Sequence, residues 1–594
     1  MEIETKYTVV GFLAPSAITS LELRHYVLEP QGDERHHDLL LDTADRAITS
    51  TRHALRLRRF DDGRPTVITF KGPNTAAEGL HSREEIEAPL PDDISNPLDY
   101  ARWPDEIAQR VAALIDGEKY ANTDDSSTGK GGRDGKGRRV AAQSTPTAHL
   151  MPLVEMDIHR RTWTVTHSGQ TIAELALDVG EIRAAEAQSR GTWDGDATTD
   201  TEDAQQQSVK RKKTRKMWIH ELEVELKDVG QQSDLDALAK RLMAQLPLRP
   251  EAQSKLARGL ALLEPREAAG ASGGETPFAL AARTMIRQQL RRACKHAADV
   301  RDEKDPELVH KMRVAIRRLR TALQLLEEAP EAAFADFPGT DARRLRRLRR
   351  RLGGLTHALG AVRDTDLFIE RVRTYSEAYP ELHDDLEPLR HELQAQRQSA
   401  RATLIAQLDT RKLAKTLARL YDLSADDDGQ QDENPHADSE QSDTQDGRRL
   451  QVRHVAGSAI WRRYEAVLSY KTVISDSSLI PLTPPPTLHH LRIALKRLRY
   501  VIELFEDELG KGKKGTLRTL MQAQDHLGAL QDAVVALALV TRLRDAHPDN
   551  RGLTIYAAAL TTQRDTLRRD FIPLWQQLAD QPLRDRLAGL LVGL

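Results

Sequence analysis

The chain lacks several features that would define its class at once. Only one of its 594 residues is a cysteine, Cys294, which excludes a disulfide framework and a cysteine-based zinc site and fits a reducing compartment. Aromatic residues make up 4%, so few side chains could stack on the bases of a single-stranded nucleic acid. No apolar run approaches the roughly 20 residues that span a bilayer, and the first residues resemble a strand rather than a signal peptide. We therefore expect a cytoplasmic protein.

The remaining composition indicates a hydrophilic protein of at least two domains. Apolar residues make up 39% of the chain and charged residues 30%, and the length exceeds what one hydrophobic core usually holds. The apolar pattern has mostly period 2 before the Gly- and Ala-rich segment 267–274 and mostly helical period after it. We predict a multidomain α+β protein with a β domain over residues 1–265, a linker over 266–275 and a helical domain over 276–594.

Three polar stretches are predicted to be solvated insertions in these domains. Residues 121–148 are rich in Gly, Ser, Thr and basic residues, residues 185–214 are polar and end in a basic run, and residues 424–447 contain nine Asp or Glu and no Lys or Arg. Such segments have too few apolar groups to pack. They are expected to interrupt both domains without joining either core.

Charges alternate along the first predicted strand. Glu2, Glu4 and Lys6 are two residues apart, so a β-strand places all three side chains on one face. Two carboxylates and an ammonium on one face suit a divalent cation and the anion that it helps to hold, although the solvated face of an amphipathic strand would give the same pattern. Further strands of this kind decide between the two interpretations. About eight strands are predicted, at 1–10, 35–42, 52–60, 65–71, 79–87, 151–166, 170–178 and 217–227, with a hairpin turn at Ser168-Gly169.

Most of these strands carry similar alternating charges. Because both signs recur on the same faces, the pattern indicates a shared polar interior rather than a wet outer surface. An eight-stranded antiparallel barrel has a lumen wide enough for a small ligand. Basic groups in it would bind phosphate oxygens and carboxylates would hold Mg²⁺ or Mn²⁺. The charges concerned are Arg56, Arg58, Lys71, Arg83, Glu85, Glu87, Arg160 or Arg161, Glu174, Asp178, Glu221, Glu223 and Glu225.

Eight short motifs follow one another in the predicted β domain: Glu2-x-Glu4-x-Lys6, Leu-Asp42-Thr, Leu-Arg56-Leu-Arg58, Lys71, Gly79-Leu-His-Ser-Arg83-x-Glu85, Leu-Asp178-x-Gly, Glu221-x-Glu223 and Ser254-Lys255-Leu-Ala-Arg258-Gly. Together, over about residues 1–265, they resemble the CYTH domain of the triphosphate tunnel metalloenzymes. The resemblance implies a closed tunnel that binds a linear triphosphate and a divalent metal.

The resemblance also implies a role for each matching residue. Glu85, Glu87, Glu174 and Glu225 could bind metal or could balance buried cations. The implied phosphate ligands are Lys6, Arg56, Arg58, Lys71, Arg83, Arg160 or Arg161, and Lys255. The implied metal ligands are Glu2, Glu4, Asp178, Glu221 and Glu223, and the implied catalytic set is Glu4, Lys6, Arg58, Asp178 and Glu223.

The predicted helical domain contains a duplication. Residues 309–320 align without gaps on residues 488–499, and residues 358–364 align on residues 526–532. Two homologous halves predict a helical bundle with a pseudo-twofold axis. In the first copy, helical spacing puts His310 and three arginines on one stripe and apolar residues on the opposite one, and a later segment has seven arginines between 343 and 351. Because like charges one turn apart repel, we expect these faces to bind a polyanion.

This pattern resembles the CHAD domain, a helical domain that often follows CYTH in one chain and binds inorganic polyphosphate. The resemblance covers about residues 276–594. His310 and His489 occupy the histidine of its signature, with phosphate contact or a structural hydrogen bond as alternatives, and the roles of His357 and His526 stay open. The implied polyphosphate ligands are His310, Arg313, Arg317, Arg318, Arg320, Arg343, Arg347, Arg350, His489, Arg492, Lys496, Arg497 and Arg499.

The leading hypothesis is metal-dependent hydrolysis of inorganic triphosphate, or a similar linear triphosphate, with polyphosphate bound by the helical domain. The expected partners are inorganic phosphate chains, with no membrane, and the low aromatic content disfavours nucleic acid. A non-catalytic polyphosphate-binding scaffold or sensor is the first alternative. Nucleotide chemistry such as that of an adenylate cyclase is the second. The expected location is the cytoplasm, including its polyphosphate granules.

Overall fold

The structure is a computed structural model of the chain and describes most of both predicted domains. The described residues are 2–73, 75–77, 80–91, 94, 96–115, 149–185, 215–227, 229–263, 273–301, 305–425, 450–474, 477–506, 508–510 and 512–592. They form two compact units, Met1–Arg266 and Glu267–Leu594. The predicted insertions at 121–148, 185–214 and 424–447, and the predicted linker at 266–275, lie almost entirely outside the described residues.

One antiparallel sheet dominates the first unit, because its segments alternate charged and apolar residues with the period of a strand. The strands are β1 (Glu2–Val9), β2 (Tyr26–Asp42), β3 (Ala54–Phe60), β4 (Val67–Lys71), β5 (Thr75–Ala77), β6 (Leu80–Arg83), β7 (Glu85–Pro89), β8 (Met151–His167), β9 (Gln170–Ala184), β10 (Lys216–Leu226) and β11 (Leu248–Pro250). The helices are α1 (Pro15–Thr19), α2 (Asp105–Ile115), α3 (Gln232–Gln245) and α4 (Lys255–Leu260).

The sheet closes on itself. Its strand order is β5-β6-β1-β10-β9-β8-β2-β3-β4-β7, and β11 also pairs with β1. The end strand β7 pairs with β4, and β6, next to the other end strand β5, pairs with β1; only Glu84 separates β6 from β7 along the chain. Residues 80–89 therefore join the two sides of the sheet, which surrounds a tunnel. The predicted antiparallel β tunnel is confirmed, although the described sheet has eleven strands where about eight were predicted.

The strand boundaries differ from the prediction where pairing with a neighbour extends or divides a strand. β2 begins at Tyr26, well before residue 35, because it pairs with β8 over nearly its whole length. The strand predicted at 79–87 is divided at Glu84, where its pairing changes from β1 to β4. Ser168 and Gly169 have φ angles of 52° and 78°, as a two-residue hairpin turn requires. The predicted turn is confirmed.

The hydrophobic core of the first unit lies outside the tunnel. Tyr7 of β1 packs with Leu235 and Leu238 of α3, while α2 covers another part of the wall through Ile107 and Val111. Because successive residues of a strand face opposite sides, the charged residues between these apolar ones point into the tunnel. A smaller apolar cluster fills part of the interior, with Leu40, Val154, Met156, Ile158, Ile182 and Ile219.

The described part of the second unit is built from helices, and its sequence is rich in the good helix formers Leu, Ala, Arg and Gln. They are α5 (Phe278–Lys295), α6 (Ala297–Arg301), α7 (Pro306–Glu327), α8 (Ala342–Ala378), α9 (Glu387–Leu408), α10 (Arg411–Ser424), α11 (Val452–Leu468), α12 (Pro485–Leu504), α13 (Lys513–Ala546), α14 (Arg551–Ala579) and α15 (Gln581–Val592). The predicted C-terminal helical domain is confirmed.

The two halves of the duplication occupy equivalent helices. The first motif lies on α7 and α12, the second on α8 and α13, and α7 packs on α8 as α12 packs on α13. Met312, Ile316 and Leu319 of α7 are fully buried, and so are Leu491 and Leu495 of α12. The apolar stripe of each first motif therefore forms core, which leaves the basic stripe to face a cavity.

One described helix, α13, is long and apolar enough to cross a membrane by length and composition. Its sequence contains no continuous apolar run of about 20 residues, and the expectation of no membrane stays a prediction. Its buried residues include Leu520, Leu527, Leu530 and Val540, and it packs on α12 and α14. Because a core helix of a soluble protein meets the same criteria, α13 is weak evidence for a membrane.

Candidate functional site

The tunnel interior is lined mainly by charged side chains of both signs around a cavity of about 470 Å³. They come from alternate positions of neighbouring strands and from the start of α4. The charged lining residues are Glu2, Glu4, Lys6, Asp38, Arg56, Arg58, Lys71, Arg83, Glu85, Glu87, Arg160, Glu223, Glu225, Lys227 and Lys255. The structure thus brings together most of the tunnel residues that the sequence predicted.

Lys6 and Lys255 connect three buried carboxylates of β1, β9 and β10. Lys6 Nζ lies 2.9 Å from Glu4 Oε1 and 3.2 Å from Glu223 Oε1. Lys255 Nζ lies 2.7 Å from Glu223 Oε1 and 2.7 Å from Asp178 Oδ2. Although burial opposes ionisation, Glu223 and Glu4 raise the pKa of Lys6, and Lys255 and Lys6 hold the pKa of Glu223 well below its usual range. Lys6 and Glu223 therefore carry charge although water hardly reaches them.

A second ion-pair group joins β1, β4 and β6. Lys71 Nζ lies 3.2 Å from Glu2 Oε1 and 2.8 Å from Glu85 Oε2, and Arg83 Nε donates to Glu2 Oε2 at 2.8 Å. Burial, together with Arg56 and Arg83, lowers the pKa of Lys71 to about 8. Lys71 is therefore a tunnel cation that can lose its proton just above neutral pH.

Asp38 is a tunnel residue that the sequence reasoning missed. Arg58 donates from Nε and Nη2 to the two carboxylate oxygens of Asp38 at 2.7 and 2.8 Å, and Asp38 is only 1% exposed. The sequence could have revealed Asp38, because it lies on the same face of β2 as Asp42, which belongs to one of the matched motifs. Asp42 itself accepts hydrogen bonds from the backbone N–H groups of Ile48 and Thr49, both at 2.9 Å, and so stabilises a turn.

The structure distinguishes the two adjacent arginines of β8. Arg160 enters the tunnel, where it donates to both oxygens of Asp178 at 2.7 and 2.6 Å and to Glu223 Oε2 at 2.8 Å. Arg161 faces the other side of the sheet and donates to Asp33 Oδ2 at 2.9 Å. Because neighbouring residues of a strand point in opposite directions, Arg160 fits the predicted phosphate ligand and Arg161 does not.

Three predicted acidic residues, Glu174, Asp178 and Glu221, do not line the cavity, and Asp178 is fully buried against Arg160 and Lys255. Glu221 is fully buried and pairs with Arg258 and, at 3.4 Å, with Lys255. Its carboxylate therefore neutralises cations beside the tunnel, which does not favour the predicted role as a metal ligand. Glu174 lies opposite Glu225 in the pairing of β9 with β10 and is also outside the lining.

The tunnel carboxylates fit a divalent ion that binds together with phosphate. Within the described part of the chain, no group of three or more Asp, Glu, His or Cys side chains is arranged to hold a metal ion. Mg²⁺ is usually held by one or two carboxylates, by waters and by phosphate oxygens of the substrate rather than by protein alone. Glu4 and Glu223, which both contact Lys6, provide such a pair.

A second polar cavity, of about 660 Å³, lies between α7, α8 and α12, and we call it the groove. Both copies of the first motif contribute to it, because the basic stripes of α7 and α12 face α8. The side chains that line it with charge or hydrogen-bonding groups are Arg313, Arg317, Arg320, Thr321, Gln324, Arg349, Thr356, His357, Asp364, His489, Lys496, Arg497 and Tyr500. The groove is strongly basic.

Several groove cations have no acidic partner. No ion pair to a described residue is formed by Arg317, Arg320 or Lys496. The Nε atoms of the two arginines are also buried without a hydrogen-bond partner among the described residues. The one carboxylate in the groove lining is Asp364, whose Oδ1 lies 3.3 Å from Arg313 Nη1. Burial and three neighbouring arginines lower the pKa of Lys496 to about 7. A bound polyanion would supply the missing negative charge.

The groove also contains residues that the sequence reasoning did not predict as ligands. Tyr500 lies between Arg317 and Arg499, whose guanidinium carbons are 5.3 and 5.0 Å from its ring centre. Arg349 and His357 of α8 also line the cavity. Tyr500 could have been found because it lies one helical turn after Lys496, and Arg349 because it lies about three turns before Gly360 of the second motif on α8.

Some predicted polyphosphate ligands lie elsewhere. Arg318 and Arg499 both pair with Glu503, at 2.8 and 3.3 Å. His310 and Arg492 are outside the groove lining, although Arg492 adjoins Lys496. The exposed side of α8 carries Arg343, Arg347 and Arg350, because Leu345 and Leu348 take its buried side.

His526 has a structural hydrogen bond instead of a ligand position. Its Nε2 lies 2.7 Å from the carbonyl oxygen of Leu567, and its ring stacks on Phe571 with ring centres 5.9 Å apart. His357, by contrast, is exposed in the groove lining. The two histidines near the second motif therefore have different surroundings. This agrees with the sequence, in which His357 and His526 do not align with each other.

Fold and site together define a triphosphate-tunnel fold followed by a helical unit with a basic groove. Family comparison gives the particular families: residues 1–260 belong to the CYTH domain family and residues 284–541 belong to the CHAD domain family. CYTH proteins depend on divalent cations, and their tunnel binds triphosphate substrates. No curated protein matches the chain.

Solved structures resemble each unit. The CHAD domain from the plant Ricinus communis has 22% identity over 55% of this chain and 96% of that one, with a TM-score of 0.35. PptA from Streptomyces chartreusis has 15% identity over 52% and 100%, with a TM-score of 0.36. An adenylyl cyclase candidate from Hippeastrum, described as having a dominant triphosphatase activity, has 18% identity over 45% and 99%, with a TM-score of 0.27. Likeness of this degree carries no argument about activity.

Proposed function

We propose that the tunnel hydrolyses inorganic triphosphate, or a similar linear triphosphate, with Mg²⁺ or Mn²⁺, and that the groove binds longer inorganic polyphosphate. The observation that carries this proposal is the convergence of Lys6, Arg160 and Lys255 with Glu4 and Glu223 on one cavity of about 470 Å³. Cations alone would suit simple anion binding. The carboxylates beside them add the oxygen ligands that a divalent metal requires.

The arginines of the tunnel are held in place before any substrate arrives. Asp38 binds Arg58 through both carboxylate oxygens, and Glu2 binds Arg83 at 2.8 Å. Guanidinium groups fixed in this way can receive phosphate oxygens with little further ordering. They would orient the phosphate chain along the tunnel and place its terminal phosphorus.

Stabilisation of the leaving group is the second task of the basic residues. Charge develops on the oxygen of the departing pyrophosphate, and a nearby ammonium or guanidinium group stabilises it. Lys6 and Lys255 are well placed for this task because both remain protonated next to Glu223. A divalent ion held by Glu4 and Glu223 would neutralise part of the charge on the phosphates and would lower the pKa of a bound water molecule.

The lining favours inorganic phosphate chains over nucleotides. Among the described lining residues of the tunnel there is no aromatic side chain on which a base could stack. Its apolar members are limited to Leu40, Ala54, Met156 and Leu256. A nucleoside would therefore lose hydration without gaining a stacking partner, whereas every phosphate of a short chain can meet a cation.

The test is phosphate release from inorganic triphosphate, pyrophosphate and ATP with Mg²⁺ and with Mn²⁺. We expect the wild-type chain to prefer triphosphate, and Glu4→Gln to lower kcat/KM by at least about 100-fold because a charged ligand is lost. A wild-type protein that is inactive with both metals would overturn the proposal in favour of a sensor. Faster turnover of ATP than of triphosphate would favour nucleotide chemistry.

A further inference from the structure

Both halves of the helical unit place a glycine next to the same arginine of the first motif. Arg313 lies over Gly360 of α8, where an added Cβ would stand 3.9 Å from Nε and Nη2. Arg492 lies over Gly528 of α13, where a Cβ would stand 3.3 Å from Nη2 and 3.5 Å from Nε. Residues 313 and 492 align with each other, and so do residues 360 and 528. The contact is therefore a shared feature of the two halves.

Neither glycine is required by its backbone conformation. Gly360 and Gly528 are buried inside the long helices α8 and α13, and neither is among the described glycines with positive φ. Glycine is a poor residue for the interior of a helix, because it loses more backbone entropy than alanine. At Gly528, space for the Arg492 side chain is the physical reason that remains.

Both arginines lie near Lys496 of the groove, although only Arg313 lines the cavity. Arg313 lines the groove, and Arg313 and Arg492 are among the cations that depress the pKa of Lys496. Arg492 has no ion-pair partner among the described residues, and its Nε is buried without a hydrogen bond. The helix surface at Gly528 therefore holds Arg492 close to Lys496 without the help of a carboxylate, whereas Arg313 also pairs with Asp364 at 3.3 Å.

We propose that Gly528 is a positioning residue for polyphosphate. It leaves the space in which the guanidinium group of Arg492 lies against α13, and this fixes a cation beside the bound chain. The inference rests on the proposed binding of polyphosphate by the helical unit. Gly360 is the equivalent residue of the other half, but an added Cβ there would stand at ordinary van der Waals distance from Arg313.

The experiment measures the affinity of the full chain for inorganic polyphosphate in Gly528→Ala, Gly360→Ala and Gly457→Ala. Gly457 lies inside α11 with nothing within 4 Å of an added Cβ, so it is the matched control. We expect Gly528→Ala to weaken binding about three- to tenfold, as one charge-assisted hydrogen bond is displaced. Gly360→Ala should change it little, because a Cβ there would stand 3.9 Å from Arg313, and Gly457→Ala should leave it unchanged.

Thermal stability provides a second measurement that separates positioning from folding. All three substitutions should keep Tm or raise it by about 1–2 °C, because alanine favours the helix. For Gly528→Ala, affinity and Tm should therefore move in opposite directions. A lower Tm together with the lost affinity would show that the residue serves the fold, and would overturn the inference.

A double-mutant cycle with Arg492→Ala tests whether Gly528 acts through this arginine. In the Arg492→Ala background, Gly528→Ala should cause no further loss of affinity. Equal losses in both backgrounds, or wild-type affinity for Gly528→Ala alone, would overturn the inference and leave the proposed function standing. A wild-type chain that does not bind polyphosphate would overturn the proposed function itself, and the inference with it.

Discussion

The tunnel and the groove both collect cations, but they balance the charge differently. In the tunnel, Lys6, Lys255 and Arg160 each contact at least two carboxylates. In the groove, Arg317 and Lys496 form no ion pair with any residue that the structure describes. The tunnel thus holds both signs of charge in a small buried space, whereas the groove presents mainly one sign to an open cavity.

This difference indicates two modes of phosphate recognition. Removing charges from water is costly, so a buried network of ion pairs is seldom kept for stability alone. A complex of triphosphate and a divalent metal also carries both signs of charge. Its phosphates and its metal can therefore replace the ion-pair partners that the tunnel side chains have in this structure. A polyanion needs only cations and the release of its counterions. The comparison therefore predicts that the two sites respond differently to mutation, salt and pH.

The largest effect should come from the adjacent arginines of β8. Arg160→Gln removes a tunnel cation that contacts Asp178 and Glu223, and we expect kcat/KM for triphosphate to fall about 100- to 1,000-fold. Arg161→Gln removes the same charge from the outer face, where its partner Asp33 is exposed, and should retain nearly full activity. Phosphate release under saturating metal measures both.

Polyphosphate binding serves as the control for this pair. Neither Arg160→Gln nor Arg161→Gln should change the affinity of the full chain for long polyphosphate, because the groove is built from other residues. Equal activity losses in the two variants would mean that net charge, not position in the tunnel, controls turnover. That result would contradict the placement of the active site.

A groove variant should show the opposite behaviour. In Arg317→Ala/Lys496→Ala two unpaired cations are removed, and polyphosphate affinity should fall about 10- to 100-fold, since hydrogen bonds to charged groups contribute strongly. The kcat and KM for triphosphate should stay near wild type. Isothermal titration and phosphate release, measured on the same preparation, check both halves of this expectation.

The matched control for the groove is Arg343→Ala/Arg347→Ala. It also removes two cations, but from the exposed side of α8 and outside the groove lining. We expect it to lose no more than about threefold in affinity, because exposed charges act mainly through screened, long-range attraction. If this variant lost as much as the groove variant, polyphosphate would be binding along the arginine-rich surface of α8.

Salt should sharpen the contrast further. Between about 50 and 200 mM salt, polyphosphate affinity should fall at least about tenfold, because binding releases counterions from the polyanion. The KM for triphosphate should change less, since the tunnel cations are already paired and partly buried. Similar salt slopes for both quantities would imply that triphosphate, too, is bound at an open cationic surface.

Much of this comparison was accessible from the sequence, because period 2 assigns charged residues to one face of each strand. Glu4, Lys6, Arg58 and Glu223 were found in this way. The choice between Arg160 and Arg161 was not accessible, since it depends on the strand register. The structure was also needed to tell which arginines of the helical unit are paired and which are not. A stripe of cations on a helix does not reveal which of them contact carboxylates such as Glu503.

A moderate effect is expected from pH in the groove. Lys496, whose pKa lies at about 7, is charged below that pH and neutral above it. Polyphosphate should therefore bind about three- to tenfold more tightly at about pH 6 than at about pH 8.5, and binding should take up a proton. The charged groups that face Lys496 are Arg313 and Arg317 of α7, Asp364 of α8 and Arg492 of its own helix.

Lys496→Arg is the control for the pH effect, because arginine stays charged over the whole range. This variant should bind at about pH 8.5 as tightly as it does at neutral pH. A slope that remains below neutral pH in this variant would come from groups other than Lys496. An unchanged pH profile in Lys496→Arg would rule out Lys496 as the titrating group.

The smallest effect should be a gain. Asp364 is the one carboxylate in the groove lining, and Asp364→Asn should strengthen polyphosphate binding about two- to threefold by removing a repulsive charge and releasing Arg313. The gain is small because the side chain is 65% exposed and its charge is screened. Asp532 aligns with Asp364 but pairs with Arg371 at 3.2 Å, outside the groove, so Asp532→Asn should change nothing. Equal gains would show that polyphosphate responds to the charge of the whole helical unit and not to the groove.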